Sequence, residues 1–169
     1  MGRGQYGSAT AALTRAMQLW QASAGKKDMN SAVAERYLAL VRQAQTRYAE
    51  TEWLLRDVLA INQRAFGRRH ENAAMILNDL GMLYRQEGQD RKAVEPFNRA
   101  LAIHEACGNP GALGVAPVSN NLGEVAFAEK RYAEAERLYT RALQIRRNIA
   151  RAKLRSRRAG SRDTRGLLS

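Results

Sequence analysis

A single cysteine, Cys107, excludes an intrachain disulfide and cannot build a structural zinc site alone. Only three prolines occur, so long helices are permitted. No run of 18 or more apolar residues is present, so no membrane span is indicated. The polar, glycine-bearing start at residues 1–7 lacks the apolar block of a secretory signal, and a cytoplasmic location is the expectation. Strand patterns are missing, and with them any glycine-rich phosphate loop that would follow a strand. His70 and His104 are the only histidines. His104 and Cys107 stand three apart and could share a metal on one helix, but no second cluster supplies the remaining ligands. The expectation is therefore no catalytic residue, no cofactor and no metal, with His70 in a turn and His104 on a helix surface. Glu52, Glu95, Glu134 and Glu136 have many basic neighbours and read as members of surface ion pairs.

What is present is apolar content enough for a core, 45% of 169 residues, and a net charge of +12. The charge is uneven. Residues 151–169 carry seven basic side chains and one acid, Asp163, so half of the net charge sits in a short tail. The remaining body is only mildly basic and does not read as a nucleic-acid-binding surface throughout.

The sequence repeats every 42 residues. Leu80-Gly81 matches Leu122-Gly123, and Ala93, Phe97, Arg99, Ala100, Leu101 and Ile103 match Ala135, Tyr139, Arg141, Ala142, Leu143 and Ile145. The same step backwards reaches Leu38-Ala39, Leu55, Leu59 and Ile61, and once more Arg15, Ala16, Met17 and Leu19. Gly25, Gly67 and Asn109 punctuate at the same interval, and both residue types tolerate the left-handed backbone that ends a helix. Arg151 comes next in that series and is no stop, so the last helix should run past it.

Within a unit the apolar spacing is helical. Tyr132, Ala135, Tyr139 and Ala142 step by three or four onto one face. The pattern predicts helices near 8–24, 30–45, 48–66, 72–86, 90–107, 115–128 and 131–155, paired by short turns such as Glu87-Gly88-Gln89. Small residues at Ala39, Gly81, Gly123, Ala93 and Ala135 suit close helix approach, with Tyr84, Phe97 and Tyr139 filling the space beside them. No single hairpin buries its own apolar face, so neighbouring units must supply the core.

Leu80-Gly81-x2-Tyr84 followed by Ala93-x3-Phe97 resembles the signature of the tetratricopeptide repeat. The longer period, with Leu77-Asn78-Asp79-Leu80-Gly81-Met82-Leu83-Tyr84 and the stretch from Tyr132 to Ile145, is similar to the kinesin light chain type of this repeat. The motif's tryptophan position is held by Glu35, Leu77 and Ser119, and Arg42 and Thr51 stand where Tyr and Ala are usual. Pro117, preceded by Pro110, Gly111 and Gly114, is expected in the first turn of a late-starting helix.

The resemblance implies an all-α fold, a right-handed α-solenoid of antiparallel helix pairs with about three and a half repeats. It divides the chain into a second helix of an incomplete repeat (1–27), three repeats (28–69, 70–111 and 112–150) and a basic helix extension with a disordered tail (151–169). It also implies a scaffold that binds another protein through the concave face lined by the first helix of each unit. Carried over by position, that face holds Val33, Arg36, Tyr37 and Leu40; then Met75, Asn78, Asp79, Met82 and Arg85; then Asn120, Asn121, Glu124 and Phe127. The asparagine amides suit a peptide backbone, and Tyr37, Met82 and Phe127 suit apolar pockets between them. The family's chaperone-tail version needs basic and Asn positions of which only Asn121 and Arg36 match, so that ligand is not expected.

Two further partners follow from the ends. The basic stretch from Arg151 to Arg165 reads either as a solvated tail or as an arm for nucleic acid or an acidic surface. It has no aromatics for base stacking. The opening helix lacks a partner for part of its apolar face, which suggests a piece of a longer array or a self-associating homo-oligomer.

Overall fold

A computed structural model describes residues 3–24, 29–107 and 114–163, and every element among them is a helix. These are α1 (Arg3–Ala24), α2 (Met29–Ala44), α3 (Tyr48–Phe66), α4 (Glu71–Gln86), α5 (Asp90–Ala106), α6 (Val115–Ala128) and α7 (Tyr132–Asp163). Each packs on its neighbours in sequence, and α4 also meets α6. The architecture is an α-solenoid.

Two helices run longer than the apolar spacing predicts. α1 begins at Arg3 rather than near residue 8, and α7 continues to Asp163 rather than 155. The added residues 156–163 hold three arginines and an alanine, good helix formers, and no proline, although Gly160 and two serines among them carry no apolar spacing. Gly25, Asn109 and residues 164–169 of the expected tail lie outside the described residues. α6 starts where Pro117 allows: Gly114 is its N-cap, and the proline occupies the third helical position, where no intrahelical donor is required. Pro96 is tolerated deeper, seven residues into α5, where it is buried and leaves the Lys92 carbonyl without its helical donor.

The hairpin turns share one geometry. Thr46, Gly88 and Lys130, spaced by 42, all take positive φ, at 61°, 72° and 62°. Around each, the next amide donates to the carbonyl five residues back: Arg47 to Arg42 at 2.9 Å, Gln89 to Tyr84 at 2.8 Å and Arg131 to Ala126 at 2.8 Å. This is the Schellman closure, and it fixes the angle at which each second helix returns.

Packing inside the hairpins follows a size rule. A Cβ placed on Gly81 would stand 2.4 Å from the Phe97 ring, and one on Gly123 would stand 2.9 Å from the Tyr139 ring. At the same register the earlier hairpin pairs Ala39 with Leu55, both fully buried. A smaller partner on the second helix goes with a methyl on the first, so the space between the helices stays filled in each hairpin. The motif positions Glu35, Leu77 and Ser119 are buried in all three units.

The core is continuous. Its central cluster takes Ala73, Ala74, Leu77 and Tyr84 from α4, Phe97 and Ala100 from α5, and Val118, Leu122 and Val125 from α6. Leu59 packs on this cluster and on the one before it, while Leu101 packs on it and on the one after. Tyr84 ties α4 to α3 by a polar contact as well. Its hydroxyl donates to Glu52 at 2.8 Å and accepts from Arg56 at 3.0 Å. Burial alone would raise the Glu52 carboxyl, but the hydrogen bonds from Tyr84 and Arg56 hold it below the usual range.

Candidate partner-binding face

The first helices α2, α4 and α6 lie side by side and are tied by a ladder of side-chain bonds. Arg36 donates to Asp79 at 2.8 Å, Asn121 donates to Asn78 at 2.9 Å and Gln43 donates to Gln86 at 2.7 Å, each pair one residue more than the repeat apart. Arg85 reaches from α4 to Glu124 of α6, which also accepts from Asn120 at 2.8 Å. Burial pushes the Asp79 carboxyl above its usual range, and the adjacent Arg36 guanidinium brings it only part of the way back.

The ladder sorts the sequence-predicted residues into two groups. Arg36, Asn78, Asp79, Arg85, Asn120, Asn121 and Glu124 bond to one another within or between helices. The apolar residues point outward instead: Val33, Tyr37, Leu40, Met75 and Met82 are 39–54% exposed, and Phe127 is 58% exposed. These exposed apolar side chains are aligned over three helices and form one patch rather than scattered exposure. Tyr37, Met82 and Phe127 occupy successive register positions on a diagonal across the face, and Phe127 meets Tyr132 edge to face at 5.5 Å.

Between successive first helices lie two clefts, of about 260 and 370 Å³. They are the same cleft repeated. Val33, Arg36, Asn62, Asn72, Met75 and Ile76 line the first; Met75, Asn78, His104, Gly114, Pro117 and Val118, each 42 residues further, line the second. The second-helix residues Asn62 and His104 are both buried beneath. From the sequence Asn62 draws no notice and His104 reads as a helix-surface residue, although the two sit one period apart and their shared place follows from extending the register to the ends of the second helices.

His104 departs from its expected place on a helix surface: only 3% of it is exposed. The reason is Gly114, whose missing side chain lets the start of α6 lie over the imidazole; a Cβ there would come within 2.1 Å of the ring. In the preceding unit the smaller Asn62 allows a side chain at Asn72. Cys107 ends α5 exposed, with its Sγ 3.8 Å from the Arg69 carbonyl. His70 takes the N-cap of α4, its Nδ1 accepting from the Asn72 amide at 3.2 Å while its ring stacks on Phe66. Among the described residues no group of three or more His, Cys, Asp or Glu is placed to hold a metal ion, and no helix is long and apolar enough to cross a membrane.

Burial lowers the pKa of His104, with Glu71 opposing. The unfolded chain then binds a proton near pH 6.5 that the fold does not accept until lower pH. Stability should therefore be full above about pH 6.5, fall as pH drops through the window below it, and level off below the folded-state pKa. Thermal melts from neutral pH downward should show this slope, and His104→Asn, which copies Asn62, should flatten it. An equal slope in both proteins would remove the imidazole from the account.

The tetratricopeptide repeat family profile matches residues 30–106, and a second tetratricopeptide repeat profile matches residues 116–149. No curated protein matches the chain. Among solved structures, BtubC (BKLC) from P. vanneervenii is similar at 25% identity and a TM-score of 0.77, covering 87% of this chain. This chain spans 59% of the length of that one. A kinesin light chain-like Podosopora anserina protein of nearly identical TPR-like repeats superposes at 20% identity and a TM-score of 0.70 over 88% of this chain and 70% of its own. MamA does so at 20% identity and 0.58 over 73% and 63%. Paired helices in a 42-residue register, two matching profiles and these shared folds lead to one conclusion: the chain belongs to the tetratricopeptide repeat family, and its fold is that of kinesin-light-chain-like repeats.

Proposed function

We propose that the chain is a protein-interaction scaffold, not an enzyme, and that the face of α2, α4 and α6 holds a segment of a partner protein. Repeats of this family generally mediate contacts between proteins, which is the coarser statement on which the proposal builds. The observation that carries it is the row of exposed apolar side chains, Val33, Tyr37, Leu40, Met75 and Met82, set over polar neighbours that bond to each other. Binding energy would then come from buried apolar anchors, with the polar ladder holding the helices in place. In this reading the repeats span 28–69, 70–111 and 112–150.

Arg36 and Arg85 are engaged by Asp79 and Glu124, so charge reversal there would break contacts between helices. The apolar residues give the cleaner test. A Tyr37→Ser/Met75→Lys/Met82→Lys variant should lose about tenfold or more in partner retention in a quantitative pull-down. Arg137→Glu, an exposed position on α7, should leave it unchanged. Retention indifferent to the triple substitution would end this reading.

One observation supports a second reading. α7 carries its exposed Arg151, Lys153 and Arg155 on helix, with no acidic residue between Glu136 and Asp163. Such an arm would bind nucleic acid or an acidic surface with a steep dependence on salt.

A further inference from the structure

We infer that the occupant of this face is an amphipathic helix lying across α2, α4 and α6, with apolar anchors seven residues apart. The inference rests on the proposed use of the face and adds the conformation of the partner.

The first argument is spacing. The two clefts are one repeat apart, and the bonds from Arg36 to Asp79 and from Asn121 to Asn78 join successive first helices through their side chains. Neighbouring helices of a packed layer lie on the order of 10 Å apart, so a bound segment must present side chains on one face at about that interval. In an extended strand same-face residues fall about 6.6 or 13 Å apart. In a helix, residues i and i+7 fall about 10.5 Å apart and on nearly the same side. Three residues of polyproline II, about 9.3 Å, also fit the interval.

Width separates the last two. Five of the exposed apolar residues form two rows, Val33–Met75–Pro117 and Leu40–Met82, seven residues apart on α2 and α4, with Tyr37 between the rows on α2 and Phe127 beyond them on α6. That is about 10.5 Å along α2 or α4, and a helix about 10–12 Å across touches both rows at once. A single extended or polyproline chain touches one.

Backbone chemistry points the same way. An extended segment leaves its N–H and C=O groups to be paired by the groove. Asparagines would do this, but Asn78 and Asn121 bond to each other and Asn120 bonds to Glu124. A helix pairs its own backbone and asks only for apolar contact, which is what the face leaves open.

A phage-displayed library of random peptides about 16 residues long, enough for about four helical turns, tests this on the full chain. Enriched sequences are measured against Met75→Lys and Met82→Lys, one substitution in each row. Both methionines are about 40% exposed, and circular dichroism checks that helix content is kept. The expected winners lack proline, carry apolar residues at i, i+3 or i+4, and i+7, and lose about tenfold or more in affinity on either variant. Winners with proline at every third position, with alternating apolar residues, or with sensitivity to Met75→Lys alone overturn the helix and leave the face as a binding surface. Winners unaffected by both substitutions combined, or no enrichment at all, overturn the face itself.

Discussion

Gly81→Ala should destabilise the chain by about 1–3 kcal/mol through overpacking, although alanine is the better helix former by about 1 kcal/mol. The added methyl would stand 2.4 Å from a Phe97 ring that is fully buried and walled in by the central cluster. Gly123→Ala should be milder. Its methyl would meet Tyr139 at 2.9 Å, and that ring is partly exposed and free to give way. The repeat itself supplies the rescue, because the α2–α3 hairpin already pairs a methyl with leucine at Ala39 and Leu55. Gly81→Ala/Phe97→Leu should therefore be more stable than the two single losses predict, by about 1 kcal/mol or more. Urea unfolding of the four proteins measures the coupling, and strictly additive losses would show that the two positions do not set the helix approach.

This compensation shows how much was legible in the sequence. The 42-residue period carried the helices, their pairing and the small residue at each close approach, because each repeats as a residue type. The turn conformation repeats as well, but through three different residues: Thr46 and Lys130 take the left-handed backbone that glycine takes at Gly88. Residue identity hid that, while register would have found it. His104 was misplaced for a related reason. Polar side chains at the end of a second helix read as solvent-facing, and its burial depends on Gly114, ten residues away in the next unit. The candidate face was legible as a set of positions, since the family resemblance carries them over by register. The division of labour within it was not. Arg36 reads as a partner-facing residue until Asp79 is found 43 residues on and bonded to it. A charge on one helix gives no sign of whether its neighbour in space is solvent, a partner or the next helix.

The leucine series Leu59, Leu101 and Leu143 tests whether the units share one interior. All three hold the same register on α3, α5 and α7. Leu59 bridges the first and central clusters, Leu101 bridges the central and last, and Leu143 is 48% exposed with no described helix beyond it. Truncating a leucine in a core costs about 2–5 kcal/mol, and these bridging positions are only partly buried, so Leu59→Ala and Leu101→Ala should each cost about 2 kcal/mol. Leu143→Ala, a surface change, should stay within about 0.5 kcal/mol. The location of the loss is as informative as its size. In an array held by contacts between neighbours, Leu101→Ala should speed hydrogen exchange in α6 and α7 while α2 and α3 keep their protection, and Leu59→Ala should do the reverse for α2 and α3. Equal losses at all three leucines, or exchange that rises uniformly along the chain, would mean that the leucines act within their own hairpins and that the stack is not held by what one unit lends the next.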